Sequence, residues 1–353
     1  MKTRIRARLS RVALLAAALT LACATTAQVT QQKPGGDAAA AGSPDYTVSG
    51  PYTYKNLSVF LLHGKGGDEG KNLLTLSEAL ASKKVVVYET RNVNELAIEN
   101  LSDEEVFVQS GDIVKGGQQD RMLSVDLIVP ARSGKIAISA FCVEHGRWTK
   151  RGGEASAHFS SSNDRAATKD LKLAARSAKS QGQVWQRVEE AQSKLSRNVG
   201  AVVNDAASPT SLQLALENTK VRATADEYVK ALAGVVERHP DAVGYAFSVN
   251  GKLNSAEVYS SHALFRKLWG GLLKSNAVEA LAEAGRDANA APPSGADVRG
   301  FIAESEKGAP SQDETVGGRV QLVTRETKSN IMFETRSTTK KSAWVHKSYI
   351  KKE

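Results

Sequence analysis

The sequence predicts an α+β fold: a meander or sandwich of short antiparallel strands, a helical middle section, and C-terminal strands that close the sheet. Three observations carry this expectation. Between residues 96 and 144, four short apolar runs are separated by Ser-Asp, Gly-Gly and Ser-Gly turns, which is the spacing of antiparallel strands rather than of strand–helix–strand units. Between residues 166 and 285, apolar side chains recur every three or four positions, the period of helices that bury one face. From 320 to 349 three strand-like runs return. With 353 residues and 41% apolar content, the chain is long enough to bury a sizeable core.

In chain order, residues 1–11 carry Lys2, Arg4, Arg6, Arg8 and Arg11 without an acid, and residues 12–22 form an apolar run too short for a comfortable membrane span. This is the pattern of a secretory signal. The small residues Thr25 and Ala27 favour cleavage before Gln28, and the competing ending is a lipoprotein signal with a lipid anchor at Cys23. The expected organisation is therefore a signal peptide at 1–27, a flexible Gln/Ala/Gly/Ser/Pro-rich linker at 28–51, and a single domain at 52–353. It places the protein outside the cytoplasm, in the periplasm or cell envelope, with no transmembrane helix in its mature form. Removing five basic residues with the leader leaves 42 Lys and Arg against 38 acids, so the formal charge falls from +9 to +4. That is an ordinary surface. The late lysines have no aromatic-rich basic motif beside them, so no nucleic-acid partner is expected. Cys142 then has no partner for an internal disulfide, and stability must come from the apolar core.

Residues 57–63 and 84–88 read as strands, with a short helix at 73–82 between them. The HGKGG segment from His63 has the look of a hydrolase oxyanion loop or a phosphate loop, but no G-x-S-x-G elbow accompanies it and Asp68 and Glu69 follow it, so a plain glycine turn is expected. Strands follow at 96–100, 106–114, 122–129 and 135–144. In the helical section, about 166–285, Val184, Val188, Ala191 and Leu195 form one stripe, helices continue at 210–217 and 224–238, and Pro240 ends the last of these. Asn250-Gly251 is a two-residue hairpin signal between strands at 244–249 and 253–258. A long helix at 264–284, weakened at Gly270-Gly271, leads through a linker at 289–295 to a helix at 298–306 and the final strands at 320–324, 331–335 and 344–349.

The unusual polar residues gather at strand ends within residues 107–148: Gly111-Asp112, then Gly116 through Arg121 (GGQQDR), then Cys142 through Trp148 (CVEHGRW). Together with a VPA strand end at Val129, an opening NLSVF strand and LTLSEAL helix, and the later GYAFSVNGKL and LFRKLW runs, these segments resemble a bacterial domain family named for its association with ADP-ribosylglycohydrolase (ARG) and the rhodanese-phosphatase superfamily. The resemblance covers most of residues 52–349 and brings no established reaction. It implies a nucleotide-like ligand. Asp120 departs from the family pattern, where Asn or a similar residue is expected, so no ligand role carries over to that position.

Glu144 is the first charge after an apolar strand, which suits either a general base or an ion pair with Arg121 or Arg147. Cys142, the other candidate catalytic residue, falls in an apolar row where a cysteine behaves as a small hydrophobe, and His145 alternates to the opposite face. Gln118, Gln119, Arg121, Arg147 and Trp148 are the candidate ligand-binding residues, because arginine offers a fork for carboxylate or phosphate and tryptophan a stacking face. Arg121, Glu144 and Arg147 are expected to converge at one sheet end. The six histidines show no metal-ligand spacing, so no metal is assigned, and the cofactor is unknown. Three functions compete: an envelope protein binding a polar, anionic or nucleotide-like small molecule; a hydrolase or transferase with Glu144 as base; and a structural partner-binding envelope protein.

Overall fold

The run Leu57–His63 becomes a strand without a solvent face. Its Leu57, Val59 and Leu61 enter one core while Phe60 and Leu62 enter another, so layers must lie on both sides of it. The computed structural model describes residues 46–66, 72–155, 157–165, 168–285, 290–317, 319–339 and 343–352. The expected signal peptide and most of the expected linker lie outside the described residues.

The elements run β1 Thr47–Tyr54, β2 Leu57–His63, β3 Leu74–Thr75, α1 Leu76–Ala81, β4 Val85–Asn92, β5 Glu95–Asn100, β6 Val106–Val108, β7 Asp112–Gly116, β8 Arg121–Leu123, β9 Leu127–Val129, β10 Ile136–Cys142 and β11 Phe159–Arg165. The helical section follows as α2 Lys169–Arg176, α3 Gln181–Val199, α4 Leu212–Glu217, α5 Thr219–Leu232 and α6 Gly234–Glu237. The chain closes with β12 Ala242–Val249, β13 Lys252–Tyr259, α7 His262–Ala282, α8 Gly295–Glu306, β14 Ala309–Val316, β15 Val320–Glu326, β16 Asn330–Ser337 and β17 Trp344–Lys351.

An α+β architecture results, with strands paired antiparallel apart from the short parallel pair β3 and β6. The largest sheet has the order β1-β2-β12-β13-β17-β16-β15-β14, so the C-terminal strands complete a sheet begun by the first two. Helix α8 covers one face through Val298, Phe301 and Ile302, which pack with Phe60, Leu62, Met332 and Tyr349. On the other face α7 and α5 join the main core with Tyr245, Phe247, Phe265, Trp269 and Leu273. The six-stranded sheet, β11-β7-β8-β10-β5-β4, is curled: a backbone bridge between Tyr88 and His158 ties its two outer strands together.

Several boundaries differ from the expectation, each for a local reason. Strand β1 begins at Thr47, inside the stretch read as linker, because it pairs with β2 through Thr47 and His63. The helix expected from residue 73 starts at Leu76, since Thr75 caps it in a reciprocal box with Glu78. The run 106–114 is two strands in two sheets, split by a turn at Gly111 with φ +93°. The run 122–129 likewise breaks around the buried Asp126, which accepts the Ser110 N–H at 2.8 Å. Strands β11 and β14 are too polar in sequence to have been foreseen. The Asn250-Gly251 hairpin is present, with both residues at positive φ.

Candidate functional site

The strand ends singled out from sequence do meet. On neighbouring strands, Cys142 pairs with Arg121, and the Val143 N–H continues the ladder to the Asp120 carbonyl at 3.1 Å. Beyond that point the chain turns and directs Glu144 inward, fully buried. Its Oε1 accepts the Asp120 N–H at 2.6 Å, the Arg147 Nε donates to Oε2 at 3.0 Å, and the Ser208 hydroxyl donates to Oε2 at 2.6 Å. Arg147 Nη2 also bonds Glu144, and Arg151 Nη1 lies 3.6 Å from it. Asp120, equally buried, accepts from the Gly116 N–H at 3.0 Å, Arg151 at 2.7 Å and the Ser211 hydroxyl at 3.2 Å.

These groups form a lattice of two carboxylates and two guanidiniums, which Arg151 extends to Glu154 at 3.0 Å. Burial alone would raise the Glu144 carboxyl, but the hydrogen bonds from Arg147, Ser208 and the Asp120 amide hold it below its usual range. Asp120 moves the other way, pushed up by burial and by the neighbouring Glu144 despite Arg151. A general base needs a lone pair facing a substrate, whereas both Glu144 oxygens are engaged by protein donors. The geometry is that of an ion pair with Arg147 that locks two strand ends into a salt-bridged corner. Cys142 is buried as the apolar row implied, with its thiol pushed up to about 11 by burial. Burial thus disfavours the thiolate.

Arg121 does not join the corner. Its guanidinium turns to the other side of β8, where Nη1 donates to the Gln119 carbonyl at 3.3 Å and Nη2 lies 3.6 Å from Glu89 Oε2. Both Arg121 and Gln119 are buried, and Arg121 Nε, Arg121 Nη2 and Gln119 Nε2 have no hydrogen-bond partner. Gln118 is half-buried and gives its backbone N–H to Glu89 at 3.3 Å, while Trp148 is 50% exposed. The five ligand candidates are thus divided among the corner, an interior pair and the surface. Gly117 shows why the turn needs glycine: at φ +58°, a Cβ there would lie 2.4 Å from the Phe159 ring.

A cleft of about 280 Å³ opens elsewhere, among the start of α2, the face of α3, the β12–β13 hairpin and the end of α7. Its floor holds Glu279 and Asn254, 4% and 7% exposed. Glu279 Oε1 accepts the Lys169 N–H at 3.0 Å and the Asn254 amide at 2.8 Å, and Asn254 Oδ1 is buried without a partner. Burial raises the Glu279 carboxyl in spite of those two bonds. Lys169, Arg187, Lys194 and Lys252 stand around the rim, with Arg187 and Lys194 paired to Glu190 at 2.7 Å and Glu283 at 2.5 Å. Glu279 was not among the residues the sequence pointed to, although it carries a signal, since Asn276 and Glu279 lie on the buried face of α7 with Leu272 and Leu273.

The fold and the strand-end corner define an α+β protein in which the GGQQDR turn and the CVEHGRW strand end lock together. The family profile of the ARG and Rhodanese-Phosphatase-superfamily-associated Protein domain matches residues 45–350, and the chain belongs to that family. No curated protein and no solved structure matches it.

Proposed function

We propose that the protein is an exported cell-envelope protein that binds a polar small molecule in the cleft floored by Glu279 and Asn254. The observation that carries this reading is the polar floor of the cleft, where the buried Glu279 carboxyl and the Asn254 amide lie side by side, 2.8 Å apart. A carboxyl and an amide side by side offer hydrogen-bond partners to a hydroxyl-bearing ligand. The rim mixes both signs of charge, Lys169, Arg187, Lys194 and Lys252 with Asp170, Glu190 and Glu283, which suits a polar ligand. About 280 Å³ suits a ribose-phosphate-sized group, at the lower end of small-molecule pockets, so a larger nucleotide would extend along the rim. The family's association with ADP-ribose-processing enzymes makes ADP-ribose and ribose 5-phosphate the first ligands to try.

Export rests on the basic and apolar leader, and the test is the mass of the mature N-terminus, expected at or near Gln28 or as a lipidated Cys23. Among the described residues no helix is long and apolar enough to cross a membrane. A catalytic alternative is favoured by the placement of Glu279, a carboxyl buried at the floor of a cleft, the setting in which general acid–base groups are found. Product formation from a bound sugar phosphate, lost in Glu279→Gln, would support that alternative over simple binding.

A further inference from the structure

We propose that His63, His239 and Asp241 form a binding site for a divalent transition cation, with Zn²⁺ the favoured occupant. The three residues come from neighbouring strand ends. His63 closes β2, where its backbone is paired with Thr47 of β1 and Ala242 of β12. His239 and Asp241 flank Pro240 in the tight turn that enters β12, fixed by the His239 N–H to the Val236 carbonyl at 3.0 Å and the Ala242 N–H to the His239 carbonyl at 3.1 Å. No spacing rule within one element would have paired His63 with residues nearly two hundred positions later.

One ring nitrogen of each histidine and one Asp241 oxygen all lie within 4.8 Å of one another. Ligands of a four-coordinate zinc stand on the order of 3.3 Å apart, given metal–ligand distances near 2.0 to 2.1 Å, so only small side-chain movements are needed. His63 Nδ1 and Asp241 Oδ2 are already 3.0 Å apart, yet Nδ1 makes no hydrogen bond: the carboxylate lies off the ring N–H axis. That is how two ligands sit when both converge on a common centre rather than on each other.

The remaining nitrogens are held from behind. His63 Nε2 is 2.7 Å from the Ser49 hydroxyl, His239 Nε2 is 2.8 Å from the Tyr52 hydroxyl, and the Tyr52 hydroxyl donates to Ser49 at 3.3 Å. Protons on both Nε2 atoms leave both Nδ1 atoms with lone pairs, and such hydroxyl partners fix the tautomer and ring orientation that a ligating histidine needs. The two rings meet edge-on at 5.4 Å. The His63 side chain is 11% exposed and Asp241 70% exposed, so the centre has a buried side and an entry from solvent. Two imidazoles and one carboxylate suit Zn²⁺ and other first-row dications, and three protein ligands leave a position open for water or a substrate atom. The loop after β2 is anchored beside them, since a Cβ at Gly66 would lie 1.9 Å from the Ser260 carbonyl oxygen.

The same atoms invite comparison with a Ser-His-Asp triad, with Ser49 as nucleophile. That arrangement requires a carboxylate in line with Nδ1–H and shielded from water, and Asp241 meets neither condition.

The test uses the full mature protein, dialysed against chelator and titrated with Zn²⁺ by calorimetry, with Co²⁺ as a visible-absorption probe. One Zn²⁺ per chain is expected, along with d–d absorption from bound Co²⁺. Both should be lost in His239→Ala and in Asp241→Asn, an exposed substitution that leaves the fold's packing untouched. Ser49→Ala should weaken Zn²⁺ binding tenfold to a hundredfold by loosening His63. Wild-type protein that takes up no more Zn²⁺ than Asp241→Asn would overturn the proposal. So would labelling of Ser49 by a fluorophosphonate that disappears in His63→Ala, since the residues would then be a nucleophilic triad.

Discussion

Replacing Glu144 by alanine tests what the strand-end corner is for. In the folded protein that carboxylate receives the Asp120 N–H at 2.6 Å, Arg147 Nε at 3.0 Å and the Ser208 hydroxyl at 2.6 Å, all in a buried setting. Removing it leaves Arg147, itself 8% exposed, as a buried charge facing only the Asp120 carboxylate at 3.8 Å and two carbonyls. Breaking one side of a buried ion pair costs about 3–5 kcal/mol. For a domain of this size each kcal/mol lowers the melting temperature by roughly 2–4 °C, so a fall of roughly 6–20 °C is expected. Glu144→Gln should fall in the same direction but by less, because the amide keeps the shape and one acceptor. The assay is differential scanning calorimetry at neutral pH, with ribose 5-phosphate affinity measured on each variant at a temperature where it remains folded. A melting temperature within about 2 °C of wild type, combined with lost ligand binding, would refute the structural reading and return Glu144 to the role of a functional carboxylate.

Further expectations follow from other buried groups. His346 sits between Asp126 and Glu257, 2.8 Å from each, and although burial opposes its charge the two carboxylates raise it above its usual value. Its stabilisation is therefore full below its unfolded value of about 6.5 and is lost as pH rises through the raised folded value, so His346→Gln should flatten the alkaline side of the stability profile. An unchanged alkaline limb in that variant would contradict the assignment. Glu279→Gln should leave the melting temperature at pH 7 unchanged or higher, since burial disfavours the charged carboxylate and the amide keeps an acceptor for Lys169 and Asn254, and a clear loss of stability would contradict that. A high-resolution crystal structure should reveal an ordered water or anion accepting from Arg121 Nη2 and Gln119 Nε2, because buried donors without partners are rare. A dry gap there would count against it.

The fold class was legible because two signals were unambiguous: short apolar runs between glycine turns, and helical stripes such as Val184, Val188, Ala191 and Leu195, all of which are buried. The Asn250-Gly251 turn was legible for a stereochemical reason, both residues tolerating positive φ. Strands such as Phe159–Arg165 were not, since FSSSNDR owes its conformation to pairing with β7 rather than to its own composition. At the corner, sequence proximity suggested Glu144 with Arg147, which are bonded, but also Arg121, which alternates to the opposite face of its strand. Arg151, Ser208 and Ser211 entered unforeseen because they arrive from a loop and from the helical section. The cleft and the His63 cluster were invisible for the same reason, both being assembled from segments far apart in the chain.

Calorimetric titration of the protein with ribose 5-phosphate and ADP-ribose tests most directly whether the Glu279–Asn254 cleft holds a polar small molecule. Saturable one-to-one binding is expected, weakened at least tenfold in Asn254→Ala, with Glu144→Gln retaining wild-type affinity. Binding that survives Asn254→Ala and Glu279→Ala but disappears in Glu144→Gln would place the ligand at the strand-end corner and contradict the claim.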